Sequence, residues 1–330
     1  MAIAKHIPKQ SGVFPGYWTL FKSGELDRRI EKARRHLSSC RLCPRYCQVD
    51  RLNNKVGFCL ATDKVRVYKY KQHFGEEPPI SGSQGSGIIF FSGCTLGCYF
   101  CQNFPFSHNR LGRDISPFTL AKMMLVLQEQ GAHNINWVTP THFIPQILEA
   151  LKIAIEMGMH LPIVYNTNGF DSPEALSLLE GIVDIYLPDF KYALSEPARK
   201  YSKASIYPGA AQAAIKEMFR QVGFLRVNEK GIASRGIIVR HLILPGQLDN
   251  TFEVLRFLAE EISPHIHLSL MTQYLPIWEA RKFSEINRRI SRQEYEIVFQ
   301  WMKDFGFTNG WIQDFESENT NGTLNKNSRN

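Results

Sequence analysis

The stretch Ser92-Gly-Cys-Thr-Leu-Gly-Cys-Tyr-Phe-Cys-Gln-Asn103 carries most of the chemical information in this 330-residue sequence. Cys94, Cys98 and Cys101 form a C-x3-C-x2-C array directly after the apolar run 88–91. Loops this short let three thiolates surround one face of a [4Fe-4S] cluster, which normally takes four thiolates. Three ligands leave one iron open to a group that is not protein. The array therefore predicts a catalytic iron–sulfur site, with free or zinc-binding thiols as the alternative.

The C-x3-C-x-aromatic-C pattern after a first strand resembles the signature of the radical S-adenosylmethionine (SAM) superfamily. In that superfamily the open iron binds the amino and carboxylate groups of SAM. An electron from the cluster then cleaves the sulfonium to methionine and a 5′-deoxyadenosyl radical. The continuation to Gln102-Asn103 resembles the activating-enzyme branch, typified by the pyruvate formate-lyase activating enzyme. Leu42-Cys-Pro-Arg-x-Cys47 and Gly57-Phe-Cys59 resemble an uncharacterised subfamily of that branch, and the resemblance runs from about residue 38 to about residue 315.

The composition is that of an ordinary globular protein of one large or two smaller domains. Hydrophobic residues make up 44% of the chain and charged residues 21%, and no apolar run approaches the ~20 residues that a membrane helix needs. The first residues have no apolar core of signal-peptide length. All seven cysteines fall into two groups, which favours metal ligation in a reducing compartment. We therefore expect a cytoplasmic protein without a membrane partner.

The net charge of +8 is compatible with an acidic partner protein or a phosphate-bearing substrate. An electron donor such as flavodoxin or ferredoxin would be a partner of the first kind. A solvated surface with excess lysine and arginine explains the charge equally well. The basic residues between positions 28 and 35 lack the interleaved aromatic residues of a single-strand binding surface. Nucleic acid is therefore disfavoured as a partner.

A first cysteine group precedes the array. Cys40, Cys43, Cys47 and Cys59 give the ligand count of a closed zinc site or of a fully ligated second iron–sulfur cluster. Their spacing does not match zinc-ribbon pairs, so zinc and iron–sulfur stay equal alternatives, with four free thiols as the third. The segment 48–58 is polar and basic and could not build a core of its own. Metal ligation would offset the cost of ordering it, which is roughly 1–2 kcal/mol per residue.

From Gly87 onward, strand patterns and helix patterns alternate. Six segments have strand character: 88–91, 134–138, 162–166, 182–187, 236–244 and 265–270. Helical patterns follow or separate them at 116–130, 143–157, 172–180, 210–222, 249–261 and 291–304. Six successive βα units predict a parallel sheet with right-handed crossovers. The superfamily resemblance implies that this sheet forms a partial (β/α)6 barrel.

We therefore predict an α/β fold, a partial TIM-like (β/α)6 barrel of the radical SAM type with a small N-terminal cysteine-rich extension. The predicted order begins with an irregular segment and a short helix over residues 1–37. The metal-binding extension follows at 38–86, and the barrel at 87–315. The tail 316–330 has almost no apolar residues and is predicted to be disordered.

Polar residues stand at the ends of the predicted strands, where parallel α/β folds bind ligands. Any one of them could be a helix cap or a satisfied core group, but five groups at equivalent positions favour a binding site. The candidates for cofactor binding are Thr139, Thr141, His142, Asn166, Asn168, Asp189, Lys191, Arg240 and Gln273.

The resemblance implies roles for some of these residues. Related activating enzymes carry a Gly-Gly-Glu segment that receives the methionine amino group, and this chain has Thr139-Pro-Thr-His142 in its place. Thr167-Asn-Gly169 matches the family's Thr-Asn-Gly. Asp189-Phe-Lys191 resembles its Asp-x-Lys, whose cation suits the methionine carboxylate. Phe100 matches the aromatic position near adenine, although its ring could instead close the core.

Three functions are compatible with these features. The first is a radical SAM enzyme that abstracts a hydrogen atom, and family analogy suggests the backbone glycine of a glycyl-radical enzyme as its protein substrate. The second is the same chemistry on RNA or on a small metabolite. The third is a non-catalytic iron–sulfur electron-transfer protein, which the polar strand ends disfavour because an electron carrier needs no such pocket.

Overall fold

The computed structural model describes residues 15–313 and Phe315, so residues 1–14 and the predicted tail lie outside the described residues. Its helices are α1 Tyr17–Lys22, α2 Glu25–Ser38, α3 Pro78–Ser81, α4 Phe104–Ser107, α5 Pro117–Glu129, α6 Ile144–Glu156, α7 Pro173–Leu179, α8 Ser195–Ser202, α9 Tyr207–Val222, α10 Leu248–Phe257 and α11 Arg292–Asp304. Its strands are β1 Val65–His73, β2 Ser86–Phe91, β3 Arg113–Ile115, β4 Ile135–Val138, β5 Ile163–Thr167, β6 Ile185–Pro188, β7 Arg226–Val227, β8 Ala233–Leu242, β9 His267–Met271 and β10 Gly310–Ile312.

Within the described part of the chain, the strands form one sheet in the order β10-β9-β8-β6-β5-β4-β2-β1-β3, and β7 pairs with β8 beside this path. Neighbours from β2 to β10 along this order run parallel. β1 pairs antiparallel with both β2 and β3. The predicted α/β fold with a mostly parallel sheet of the partial-barrel type is confirmed.

The six predicted strands are present as β2, β4, β5, β6, β8 and β9. The predicted helices between them are also present, with small shifts at their ends. Local capping explains several boundaries, since Ser116 accepts a hydrogen bond from Thr119 N and Ser172 accepts one from Ala175 N. Ser291 opens α11 with the predicted capping box.

Helix α1 is a difference from the prediction, because residues 1–24 contain several helix breakers and look irregular. Tyr17 is fully buried. Its hydroxyl donates to the carbonyl of Leu161 at 2.9 Å. Long-range packing therefore stabilises a helix of six residues that its local sequence does not indicate.

The segment before residue 87 adds more to the sheet than the sequence indicates. β1 is absent from the predicted strands because its tyrosines and lysines do not form an apolar run. The segment after it reaches the interior side of the sheet, where Ile80 of α3 packs with Val164 and Ile185. The boundary between extension and barrel at residue 86 stays a prediction, although β1 and α3 precede it.

The sheet has two different faces. Trp137 and Tyr165 lie on the face that forms the main core with the helices. Val164 and Ile238 lie on the other face, in a smaller apolar cluster. By strand alternation, Asn166 and Arg240 share that second face. None of the helices between residues 15 and 313 is both long enough and apolar enough to span a membrane.

Candidate active site and a second cysteine group

A cavity of about 670 Å³ lies at the carboxyl ends of the parallel strands. The loop after β2 brings Cys94, Cys98 and Cys101 to it. Most of the predicted cofactor-binding residues also line it: Phe100, Thr139, Asn166, Asn168, Asp189, Lys191, Arg240 and Gln273. Cavities of this volume hold ligands of cofactor size.

Each of the three sulfur atoms in the loop has a polar partner. Asn168 Nδ2 donates to Cys94 Sγ at 3.3 Å, and Ser202 Oγ donates to Cys98 Sγ at 2.9 Å. Ser107 Oγ lies 3.1 Å from Cys101 Sγ. Hydrogen bonds to cysteine sulfur are among the features that set the reduction potential of an iron–sulfur cluster. The donor set and its surroundings therefore fit a [4Fe-4S] cluster.

The thiols lie in a low-polarity environment. Burial raises the pKa of Cys94 to about 12, and the neighbouring thiols of Cys98 and Cys101 raise it as well. Burial likewise raises the pKa of Cys98 to about 11. Without a metal these thiols are protonated at neutral pH, so metal coordination must release their protons.

Two backbone positions at the strand ends have unusual conformations. Thr139, directly after β4, has a φ of 57°, in the left-handed region that a β-branched residue rarely adopts. Glycine adopts this region without steric cost, whereas the branched Cβ of threonine does not. Gly169 has a φ of 76°, and a Cβ at this position would lie 2.4 Å from the carbonyl oxygen of Asp189. The loops after β4 and β5 are therefore held close to the cavity by constrained backbone.

Lys191 and Asp189 form a buried ion pair in the cavity wall. Their Nζ and Oδ2 atoms are 2.6 Å apart, and the two side chains are 16% and 22% exposed. Burial lowers the pKa of Lys191, but the Asp189 carboxylate outweighs this and raises it above its usual value. An ammonium group has three donors, so one such pair leaves capacity for a ligand carboxylate.

Tyr207 holds the loops after β5 and β6 together. Its hydroxyl lies 2.9 Å from Asn168 O and 2.8 Å from Asp189 O. The same hydroxyl accepts a hydrogen bond from the backbone N–H of Lys191 at 2.9 Å. This buried tyrosine therefore positions the segments that carry three of the predicted site residues.

Arg240 lines the cavity, but its guanidinium is bound to protein carboxylates. Its Nε and Nη2 atoms donate to the two oxygens of Glu77 at 2.7 and 2.6 Å, and Nη2 also donates to Glu76. The side chains are 14%, 6% and 9% exposed for Arg240, Glu77 and Glu76. Burial raises the pKa of Glu77, but the charge and hydrogen bonds of Arg240 outweigh it and hold the pKa below its usual value.

The structure does not bring Thr141 and His142 into this cavity. Thr141 is buried and its hydroxyl donates to Asp171 Oδ1 at 2.7 Å. His142 is also buried, with Nε2 at 2.8 Å from the carbonyl oxygen of Ser92, and its Nδ1 has no hydrogen-bond partner. The 3₁₀ turn Thr141–Phe143 carries both side chains away from the cavity. A polar residue directly after a strand can therefore stabilise the following turn without contacting a ligand.

His142 faces the other cysteine group. A small cavity there is lined by Cys40, Cys43, Cys47, Cys59, Arg45, Arg51, Phe58, Thr95 and His142. Three of the four thiols are buried and Cys47 is exposed. Gly93 has a φ of 87°, and a Cβ at this position would lie 2.6 Å from the carbonyl oxygen of Cys59. The four predicted ligands thus lie around one cavity that packs against the cluster loop.

Arg51 is a buried cation in this second group. Arg51 is only 1% exposed to solvent. It donates to Cys40 Sγ at 3.1 Å and to the carbonyl oxygen of His142, while its Nε has no partner. None of the described carboxylates forms an ion pair with it. A buried charge without compensation is costly, so an anion near Cys40 would stabilise this arrangement.

Among residues 15–313, no three histidine, cysteine, aspartate or glutamate side chains converge on one metal-ion position. A cubane cluster does not require such convergence, because each of its cysteine ligands binds a different iron atom. This distinction matters for the second group, where a single zinc ion would need the sulfur atoms to turn inward around one point.

Several residues of the site were not predicted from the sequence. Ser202, Tyr207, Glu76 and Glu77 act through contacts with residues distant in sequence, whereas Ser107 contacts Cys101 only six residues away. Glu76 and Glu77 could have been noticed as an acidic pair before two prolines, and Ser107 as a hydroxyl close after the cysteine array, but nothing local points to Ser202 or Tyr207.

The chain is similar in sequence to one family of known proteins and to one curated relative. The radical SAM superfamily profile matches residues 88–259. MJ0674, an uncharacterized protein of Methanocaldococcus jannaschii, is 29% identical over 284 residues, covering 83% of this chain and 77% of that protein.

Solved structures similar to the chain include SuiB of Streptococcus suis, with 13% identity, a TM-score of 0.45 and coverage of 68% of this chain and 47% of SuiB. Methylornithine synthase (PylB) has 15% identity and a TM-score of 0.44, with 69% and 63% coverage. QueE from Escherichia coli has 11% identity and a TM-score of 0.42, with 76% and 95% coverage. The matched part of this chain spans less than two thirds of SuiB and of PylB.

Proposed function

Because the chain belongs to the radical SAM superfamily, we propose that it is an enzyme that reductively cleaves SAM at a [4Fe-4S] cluster. When bound, the cluster supplies the electron that splits SAM into methionine and a 5′-deoxyadenosyl radical for hydrogen-atom abstraction. Cys94, Cys98 and Cys101 would hold the cluster. The observation that carries the proposal is that all three thiols line the cavity at the strand ends, each with a polar partner on its sulfur.

We assign the SAM-binding roles to residues around the same cavity. The ammonium of Lys191 would bind the methionine carboxylate, and oxygen atoms of Thr139 and Asn166 would accept from the methionine amino group. Phe100 would lie near the adenine; its ring is 5% exposed and 5.8 Å from the ring of Tyr274. Arg240 is left out of direct binding because its Nε and Nη2 already donate to Glu77 and Glu76.

The Lys191 assignment predicts a binding defect. Lys191→Met removes a charge-assisted hydrogen bond, so we expect SAM binding to weaken by about 1.5–3 kcal/mol in equilibrium titrations. Lys200→Met is the matched control, since Lys200 also pairs with a carboxylate but lies on α8, outside the cavity. An unchanged dissociation constant for Lys191→Met would show that the ammonium serves Asp189 alone.

We further propose a substrate for the 5′-deoxyadenosyl radical. The sequence likeness of residues 92–103 to activating enzymes supports a backbone glycine of a partner glycyl-radical enzyme as the hydrogen donor. The Thr139-Pro-Thr-His142 segment, which differs from Gly-Gly-Glu, leaves a role on RNA or a small metabolite as the competing assignment. Incubation with a candidate partner under reducing conditions should produce the doublet of a glycyl radical in electron paramagnetic resonance.

The central claim is tested without knowledge of the substrate. Protein reconstituted anaerobically with iron and sulfide, then reduced with dithionite, should convert SAM to methionine and 5′-deoxyadenosine in equal amounts. Chromatographic quantification of both products measures this ratio. A reconstituted, reducible cluster that leaves SAM intact would contradict the proposal.

We also propose that Cys40, Cys43, Cys47 and Cys59 hold a second metal centre, either zinc or an iron–sulfur cluster. Four thiolates around a divalent or cubane centre leave a net negative charge. That charge would compensate the buried guanidinium of Arg51, which donates to Cys40 Sγ. A centre with four protein ligands has no open position, so its role would be structural or electron-conducting.

Removing one of these ligands should affect the two cysteine groups differently. We expect Cys43→Ala to lose the metal in excess of one cluster and to make residues 38–60 sensitive to proteolysis, because that segment has little packing of its own. Metal analysis and limited proteolysis provide the two measurements. Cys101→Ala serves as the reciprocal control, which should lose catalytic iron and keep the excess metal. Wild-type protein with one cluster's iron, no zinc and four alkylatable N-terminal thiols would refute the second centre.

A further inference from the structure

The loop that carries the three catalytic cysteines comes close to the surface at Gly97, between Cys94 and Cys98. A Cβ built at Gly97 would lie 2.9 Å from Cζ of Phe58 and 3.3 Å from Cδ of Lys203. Phe58 is 41% exposed, and Lys203 is exposed as well. These two side chains therefore separate this part of the loop from solvent.

The same surface combines aromatic rings with cations. The guanidinium of Arg45 lies 3.5 Å from the centre of the Phe58 ring. Lys203 and Lys282 lie over the ring of Tyr99, at 4.9 and 5.9 Å. We call the surface of Arg45, Phe58, Tyr99, Lys203 and Lys282 the cluster-loop face. Partly exposed aromatic residues and arginine are typical of protein interfaces.

The cluster-loop face carries a positive balance of charge. It has three cations, and Glu279 is the carboxylate beside them, paired with Lys282 at 2.8 Å. Three positive charges against one negative charge leave a net charge of about +2. A face of this sign attracts an acidic protein and speeds its association.

The cluster-loop face is separate from the catalytic cavity. None of its five residues lines the cavity at the strand ends. Arg45 anchors the face to the cluster loop, because its Nε donates to Thr95 O at 2.7 Å and Nη2 donates to Lys203 O at 3.2 Å. A protein bound here would approach the cysteines from outside and leave the cavity open to SAM and substrate.

We propose that the cluster-loop face is the docking surface for an acidic one-electron carrier protein of the flavodoxin type. The inference rests on the proposed function, in which each SAM cleavage consumes one electron. In the transfer the carrier loses one electron and the cluster gains one, and no bond forms or breaks. The short path through Gly97 and the positive charge of the face together favour this partner over the hydrogen-donating substrate, which must reach the cavity.

Equilibrium binding tests the proposal independently of catalysis. Reconstituted protein is titrated with oxidised flavodoxin of acidic isoelectric point by calorimetry at low and high salt. Lys203→Asn with Lys282→Gln removes two charges, and asparagine tolerates the left-handed φ of 55° at position 203. We expect a roughly tenfold weaker complex at low salt, about threefold for each exposed charge, with a smaller salt dependence.

Lys216→Gln is the matched control. Lys216 also lies over an aromatic ring, at 5.4 Å from Phe257, and also pairs with a glutamate, but it is on α9. Its replacement should leave flavodoxin affinity within twofold of wild type. Equal weakening in the control, or wild-type affinity in the double variant, would overturn the docking site.

Loss of SAM cleavage and loss of carrier docking are measured separately. If dithionite supports no SAM cleavage by the wild-type protein, the proposed function is wrong. The calorimetric comparison still tests whether the carrier binds the cluster-loop face. If dithionite supports cleavage and flavodoxin binds both variants alike, the enzyme assignment stands and the cluster-loop face is not where the carrier docks.

Discussion

Replacing Cys98 with alanine is expected to abolish 5′-deoxyadenosine formation while the protein stays folded. A cluster needs all three thiolates of the loop, and Cys98 is buried with its sulfur bound by Ser202 Oγ. Loss of a single sulfur atom leaves the hydroxyl of Ser202 with Tyr192 as a remaining partner at 2.7 Å. The side chain therefore contributes chemistry more than packing. Quantified 5′-deoxyadenosine and far-ultraviolet circular dichroism provide the two measurements.

Ser202→Ala tests the hydrogen bond to the Cys98 sulfur separately from the thiol itself. It removes the hydrogen bond to the Cys98 sulfur but keeps the thiol, so the cluster should assemble with a shifted reduction potential. A Cys98→Ala variant that still produced 5′-deoxyadenosine would refute the assignment of the catalytic cysteines.

Replacing Arg240 with methionine is expected to lower the free energy of unfolding more than any other substitution proposed for this protein. The change leaves the carboxylates of Glu76 and Glu77 buried without their shared cation. Removal of one partner from a buried ion network typically costs about 3–5 kcal/mol. Urea unfolding at pH 7 measures the free energy. The cavity residues on the same sheet face should become less ordered in the variant, because Arg240 ties the 76–77 segment to β8.

The difference in unfolding free energy between wild type and Arg240→Met should depend on pH. The folded pKa of Glu77 is lowered, so its contribution to stability is present above the unfolded pKa and is lost as the pH falls through the folded pKa. In Arg240→Met the unpaired carboxylates can instead take up protons. The difference between wild type and variant should therefore shrink as the pH is lowered from 7 towards 4.5.

Arg220→Met is the matched control for Arg240→Met. Arg220 also bonds two carboxylates, those of Glu217 and Glu180, but these groups lie in solvent on the protein surface. Screening by water should make its replacement far less damaging. Similar losses for the two arginines would show that burial of the 76–77–240 network contributes little.

The sheet could be predicted from the sequence because its central strands are short apolar runs between amphipathic helices. β2, β4, β5 and β6 are buried on both faces, and such strands carry a continuous apolar signal. The catalytic cysteines could be predicted for a similar reason, since all three ligands stand within eight residues. The apolar runs and the cysteine spacing are both visible within short stretches of the sequence.

Features built by distant residues could not be predicted in this way. β1 has no continuous apolar run, since its tyrosines alternate with lysines, and it becomes a strand through its pairing with β2 and β3. His142 follows a strand, as a ligand-binding residue would, but a 3₁₀ turn directs it to the other cysteine group. A position directly after a strand therefore predicts only that a residue lies near the edge of the sheet. The conformation of the following turn decides which site its side chain faces.

Gly93 has an evolutionary consequence. The carbonyl of Cys59 comes so close to this residue that a single methyl group would collide with it, and the backbone here has a positive φ. A mutation at this position would displace the four-cysteine segment and the catalytic loop together. Selection on either cysteine group thus acts on both, and the N-terminal segment cannot be exchanged between relatives independently of the loop on which it rests.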